Sequence, residues 1–173
     1  MTQSENVSPI TTRSGAHFHV RRAHVGDGPT IKAFFAHVTP VDLRFRFLSG
    51  IREVSQAQIT MLECPLPNSD SFLVFTQDQS RMVATAMLAY GADLEQGEVA
   101  IAIRADYKGQ GIGWALLAHI ARYAETIGLR TLEAIESRDN HAAIEVECDQ
   151  GFIATEYPGD STLMLVSRTL GRR

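Results

Sequence analysis

Three places in this chain carry residue types that could do chemistry. The first is Lys108-Gly109-Gln110-Gly111-Ile112-Gly113. A glycine-rich turn lets a ligand approach the backbone closely, and a helix starting there leaves its first N–H groups without intrahelical partners. Such a row of donors suits a phosphate or a pyrophosphate. Two familiar phosphate loops fail on spacing. The dinucleotide fingerprint needs Gly or Ala three residues beyond the second glycine of a Gly-x-Gly pair; from Gly109 and Gly111 that position is Trp114, and from Gly111 and Gly113 it is Leu116. The Walker loop needs Lys and then Ser or Thr after its last glycine, where this chain has Trp114-Ala115. The second place is Glu98, at the start of the apolar stretch leading into the glycine turn. Its carboxylate could take a proton from a substrate, or could simply be a solvated strand end after Gly97. The third is Asn140 with Glu147, two helical turns apart and so on roughly one helix face.

The elements around these residues can be read from periodicity. Val99, Ile101 and Ile103 recur at period two with Ala100 and Ala102 between them, a strand that runs straight into the glycine turn. Leu116, Leu117, Ile120 and Tyr123 then follow at helical spacing, to about Ile127, with Gly128 as a C-cap. Upstream, residues 1–15 are polar with little to bury and read as a mobile tail, followed by one domain over 16–173. A strand is expected over His17–Ala23 and a helix from Asp27-Gly28-Pro29-Thr30. A second helical stretch starts at Val41, after Thr39-Pro40, and a third piece covers Ser55–Glu63. Ser71–Thr76 and Met82–Tyr90 flank a polar turn and read as a hairpin. Downstream come strands at Thr131–Glu136, Phe152–Glu156 and Thr162–Val166, and a short helix over Asn140–Gln150. In the segment Arg44-Phe45-Arg46-Phe47, the expectation is aromatics in the core and arginines in solvent, rather than a basic aromatic binding surface.

Composition narrows the function class. A chain of 173 residues is most simply one domain with its own core. Hydrophobic residues at 45% and charged ones at 21% are ordinary globular values. A net charge of −4, with no Lys/Arg run, speaks against nucleic acid as a partner. Cys64 and Cys148 lack metal-ligand spacing, so no metal is expected, and two such distant cysteines read as reduced thiols of a cytoplasmic protein. No apolar run reaches membrane-spanning length, and no basic segment followed by an apolar one opens the chain. The expectation is a soluble, intracellular protein with no membrane partner.

The glycine loop resembles the Gln/Arg-x-x-Gly-x-Gly/Ala acetyl-CoA loop of the GNAT acyltransferase superfamily, with Lys108 at its first position. A second match lies downstream: Asn140 through Ala143, Ile144, Gly151 and Phe152 has that superfamily's Asn-x-x-Ala-hydrophobic…Gly-Phe spacing. The resemblance covers roughly residues 17–168. It implies a mixed α/β fold, with a twisted mixed sheet of about seven strands and about four helices, splayed between the fourth and fifth strands. It further implies acetyl-CoA as cosubstrate, with pantetheine against the backbone of Ile101, Ala102 and Ile103. The pyrophosphate would lie on the amides of Lys108, Gly109, Gln110, Gly111, Ile112 and Gly113. Asn140 would bond the pantetheine arm, although an asparagine there can also be a helix N-cap.

By the same resemblance, the chain is similar to the GNAT domain of bacterial protein-lysine acetyltransferases. Glu98 stands where these carry a general-base glutamate, and the aromatic-rich segment stands where they border the acceptor. An amine protonated at neutral pH needs such a base. The implied activity is N-acetyl transfer to a primary amine, with protein lysine preferred; a small amine as acceptor and a non-catalytic acetyl-CoA-sensing module are the alternatives. A homodimer is left open. One position departs from the pattern. Many members carry a tyrosine that protonates the leaving thiolate where this chain has Glu147. An ionised glutamate cannot donate a proton, so Glu147 is expected to be solvated and the thiolate to leave to water, with Cys148 in the core.

Overall fold

The computed structural model describes residues 6–171. Among these, eight strands form one sheet in the order β1-β2-β3-β4-β5-β6-β8-β7. The strands are β1 (Ser8–Thr11), β2 (His17–Arg22), β3 (Ser69–Thr76), β4 (Met82–Tyr90), β5 (Gln96–Ile103), β6 (Thr131–Ser137), β7 (Ile153–Glu156) and β8 (Leu163–Thr169). The helices are α1 (Gly28–Phe35), α2 (Pro40–Phe47), α3 (Gln56–Glu63), α4 (Ile112–Thr126) and α5 (His141–Asp149). Adjacent strands pair antiparallel, except β5 with β6.

Two elements exceed the expected counts. β1 lies inside the stretch read as a tail and adds a strand at the sheet edge. Its Ile10 is buried against the α4 side of the core, and Ser8–Thr11 pair with His17–Val20. One apolar residue in a polar run shows no period, so its pairing with β2 could not be read from the segment alone. For residues 1–5 the tail reading lies outside the described residues. The fifth helix is α3, closed at its start by a capping box: Gln58 N–H donates to Ser55 Oγ, and Ser55 N–H to Gln58 Oε1.

The sheet buries both faces. On one side α4 supplies Leu116, Leu117 and Ile120, packed on Val74, Val83 and Val99. On the other, α1, α2 and α3 supply Ile31, Phe34, Leu43 and Leu62, packed on Leu73 and Ala102. The period-two alternation of β5 sends Val99 to the α4 side and Ala102 to the other.

The pairing of β5 with β6 positions the site. It is parallel and covers only Gln96↔Thr131, Gly97↔Leu132 and Glu98↔Glu133. Beyond Glu98, β5 continues to Ile103 along β4, while β6 continues to Ser137 along β8. The sheet therefore splays into a wedge between these two strands, and one edge of Val99–Ile103 has no strand beside it.

Leu116 is fully buried at the centre of the α4 interface. Leu116→Ala should cost about 2–5 kcal/mol, read as a lower denaturant midpoint with an unchanged slope. A midpoint equal to that of the wild type would refute this packing.

Candidate active site

The wedge holds a cavity of about 320 Å³. β5 forms one wall, with Val99, Ile101 and Ile103; α5 forms the opposite wall, with Ala142, Ala143 and Val146. The start of α4 closes one end, and α2 covers another side with Phe45 and Arg46. α2 is fixed by Thr39, whose Oγ1 accepts from Asp42 N–H at 3.1 Å, and it ends at Leu48 with φ of 51°.

The glycine loop is built as its sequence implies. Gly109 and Gly111 have φ of 74° and 84°, a region that costs an L side chain about 1–2 kcal/mol. Gly111 is the N-cap of α4. Gly113, inside the first turn, faces Ile103; a Cβ there would lie 3.2 Å from Ile103 Cδ1. Lys108, Gly109, Gly111, Ile112 and Gly113 all line the cavity, whereas Gln110 does not and donates from Nε2 to the Asp106 carbonyl at 3.3 Å. Lys108 Nζ donates to Asp42 Oδ2 at 2.6 Å, which ties the loop to α2. Of the three β5 residues singled out, Ile101 and Ile103 reach the cavity; the Ala102 side chain is buried on the α1–α3 side. Tyr107, in the turn after β5, packs edge-on against Phe18, and Asp106 accepts from Arg104 Nε.

Glu98 stands where the wedge opens, exposed to solvent but lining the cavity. Loss of solvent on one side raises its pKa, the nearby Arg46 guanidinium opposes this, and Glu133, its partner across the parallel pair, raises it further. Arg46 corrects the expectation that the arginines of this segment point into solvent. Arg44 is exposed, but the Arg46 guanidinium turns inward toward Glu98 and Glu136, and its Nε is buried without a hydrogen-bond partner. The cause is helical geometry. α2 presents Phe45 and Arg46 to the cavity while Phe47 packs on Phe35, so adjacent residues separate by about 100° rather than alternating.

Asn140 is at the N-cap of α5, yet its side chain makes no cap bond. Its Nδ2 donates instead to Glu136 Oε2 at 2.8 Å. Asn140, Ala143 and Glu147 then share the helix face that lines the cavity. Here the structure overturns a second expectation. Glu147 is not solvated; it is 6% exposed and lies against Glu136. Burial, the Glu136 charge and the hydrogen bond to Glu136 push its pKa up to about 9. Glu136 is raised too, by burial first, but the bonds from Glu147 and Asn140 hold it down. Glu147 therefore keeps its proton at neutral pH and donates it to the Glu136 carboxylate. Cys148 is exposed rather than in the core, because α5 turns its Glu147 face inward.

Glu136 and Trp114 were not singled out as site residues in the sequence, Arg46 was assigned to solvent, and Glu147 was singled out but expected to be solvated. Glu136, Trp114 and Glu147 lie on strand or helix faces whose inward direction depends on the splay. Trp114 Nε1 is a second buried donor without a partner, and Arg13 stacks over its ring at 4.1 Å.

With the glycine turn at a helix start, the free edge of β5 and the Asn140 helix converging on one cavity, the site has the arrangement seen in a known family. Residues 42–152 match the Acetyltransferase (GNAT) family. The chain belongs to it. It is 28% identical over 154 residues to the acetyltransferase PA5475 of Pseudomonas aeruginosa, covering 87% of this chain and 83% of that one. In fold it is similar to the GNAT domain of S. lividans PAT, with a TM-score of 0.85 at 21% identity over 95% of this chain and 97% of that one. It is also similar to spermidine N-acetyltransferase from Vibrio cholerae, solved with CoA and spermine, with a TM-score of 0.72 at 15% identity over 88% and 95% of the two chains. The protein is thus an acetyltransferase with a mixed α/β GNAT fold. No helix of the described residues is long and apolar enough to cross a membrane.

The protonated Glu147 sets a pH dependence for stability. Unfolded, its carboxyl ionises above about pH 4.5; folded, it holds its proton to about pH 9. Its contribution is fully present below the lower value and is lost as pH rises through the window. Glu147→Gln keeps the shape and removes the titration. The variant should melt higher than the wild type near pH 8, with the gap closing toward pH 5. An equal or lower melting temperature near pH 8 would count against the buried, protonated state.

Proposed function

We propose that this acetyltransferase transfers the acetyl group of acetyl-CoA to a primary amine, with Glu98 as general base, and that a protein lysine is preferred over a small amine. The observation that carries this reading is the position of Glu98. It sits at the residue where the β5–β6 pairing stops, on the strand whose free edge runs along the cavity toward the glycine turn. One rigid strand would then position both the base and the thioester.

The residues fit acetyl-CoA. The amides around Gly109, Gly111 and Gly113 are left free by the helix start and suit a pyrophosphate. The unpaired edge of Val99–Ile103, including Ile101, Ala102 and Ile103, offers backbone groups to an amide-bearing pantetheine arm. Asn140, bonded to Glu136 in this structure, is the candidate side chain for the same arm. The thioester supplies an already activated acyl group, so the protein has three tasks: to orient the amine, take its proton and stabilise developing negative charge. Glu98 takes the proton. Arg46, beside Glu98, opposes the rise that burial and Glu133 cause in that carboxyl's pKa. Two features support a cationic acceptor: the carboxyl of Glu98, opposite Glu133 in the parallel pair, and the aromatic Phe45, which lines the same cavity as Glu98. The Vibrio cholerae neighbour was solved with spermine, so the shared fold also accommodates small amines.

Two experiments test this. Gly109 lines the cavity with open space at its Cβ. Gly109→Leu should therefore lower acetyl-CoA affinity at least about tenfold while the far-ultraviolet spectrum stays unchanged; wild-type affinity in a folded variant would refute the loop's role. Glu98→Gln should lower kcat about 10²–10⁴-fold, barely change acetyl-CoA affinity, and be partly rescued at high pH, where solvent deprotonates the amine. A variant that turns over amines at the wild-type rate at neutral pH would remove Glu98 from the mechanism.

A further inference from the structure

Glu136 and Glu147 form a cluster in the cavity wall that the base mechanism leaves unused. Both line the cavity, one from β6 and one from α5. Glu136 is fixed by the bond from Asn140 Nδ2 at 2.8 Å. Glu147 is 6% exposed, and no donor among the described residues reaches its Oε2. Two carboxyls in contact can hydrogen-bond only if one of them keeps a proton. An unpaired buried carboxylate is costly to hold away from water, and here the neighbour's charge adds to that cost. The remaining walls near Glu147 offer no cation to relieve it. Ala143 and Val146 are apolar, Leu117 and Gly113 of α4 are apolar, and Trp114 is uncharged. Glu145 and Asp149 on α5 itself are exposed. Arg46 from α2 and Glu98 from β5 act on Glu136 rather than on Glu147.

We propose that Glu147 delivers the proton that the leaving sulfur takes up, and that Glu136, fixed by Asn140, is its positioning partner. This rests on the acetyl-transfer reading above. The amine nitrogen bonds to the acetyl carbon, the carbon–sulfur bond breaks, and its electron pair stays on sulfur. The Glu147 O–H proton passes to that sulfur and yields the free thiol of CoA. Across the cycle the ammonium loses two protons: one is released to solvent, and the other balances the one delivered to sulfur as Glu147 regains its own. A donor near pH 9 is closely matched to a thiol, whose ordinary value is about 8.5, so little free energy is lost in the transfer. Glu98 and Glu147 thereby divide the work, base where the β5–β6 pairing stops and acid on the α5 wall of the cavity.

The test measures amine acetylation and free-thiol release against pH for the wild type, Glu147→Gln and Glu136→Gln, with acetyl-CoA affinity and melting temperature for each. Wild-type activity should fall above about pH 9, where the donor ionises. Glu147→Gln should lose about 100-fold or more in kcat and lose that alkaline fall, with acetyl-CoA affinity retained. Glu136→Gln removes the neighbouring charge, so the alkaline fall should move to lower pH; a purely structural role would lower the melting temperature without moving it. If the wild type acetylates amines and Glu147→Gln keeps both its rate and its alkaline fall, the acid assignment is wrong and the acetyl-transfer reading stands. If the wild type acetylates no amine while binding acetyl-CoA, both fall together.

Discussion

The site depends on where two parallel strands stop pairing. β5 and β6 hold together only as far as Glu98 and Glu133, and then each follows its antiparallel neighbour. A strand edge with unpaired N–H and C=O groups inside a protein is costly unless something completes it. Here the edge faces a cavity that a second chain of amides, such as pantetheine, can complete as a strand would. The same divergence makes room for α5 on the β6 side and for the α4 N-terminus on the β5 side, so the pyrophosphate-type turn and the Asn140 helix face one another across the gap. Slipping the register of β5 by one residue would turn Glu98 to the opposite face of the sheet.

The charged groups of the wedge form a graded set rather than isolated sites. Glu98 is open to solvent and steadied by Arg46; Glu136 is buried but bonded by Asn140; Glu147 is buried with only another carboxyl as partner. Burial raises the proton affinity of all three, and Glu147, with no cation beside it, is pushed up to about 9. Two carboxyls with different environments can serve as base and acid at one pH, and Glu98 and Glu147 have such different surroundings. Lys108 and Asp42 add a link between the glycine loop and α2, so the helix that carries Arg46 and Phe45 is tied to the turn that suits a pyrophosphate.

Much of this was legible in the chain itself. Alternation in Val99, Ile101 and Ile103, followed by glycines and then helical spacing, identifies a strand–turn–helix, because strand and helix periods are local properties of the backbone. Gly109 and Gly111 adopt the positive φ that their residue type permits, and Gly128 ends α4 as its position predicts. The spacing of the glycine loop and of Asn140…Gly151-Phe152 pointed to the family, and the family match bears that out.

What only the tertiary structure decided concerns direction and burial. Arg46 and Glu147 are charged residues in amphipathic helices, and such residues are ordinarily solvated; their inward turn follows from how α2 and α5 lie over a splay that no local period encodes. Ser8–Thr11 becomes a strand only because β2 offers its edge. The protonation of Glu147 is the plainest case. A glutamate in a sequence carries its ordinary proton affinity, and only burial beside Glu136, on the preceding strand, raises it to about 9. Sequence determines which groups are present and which local backbone they favour. Their charge states are set by solvent exclusion and by neighbours brought together across the fold.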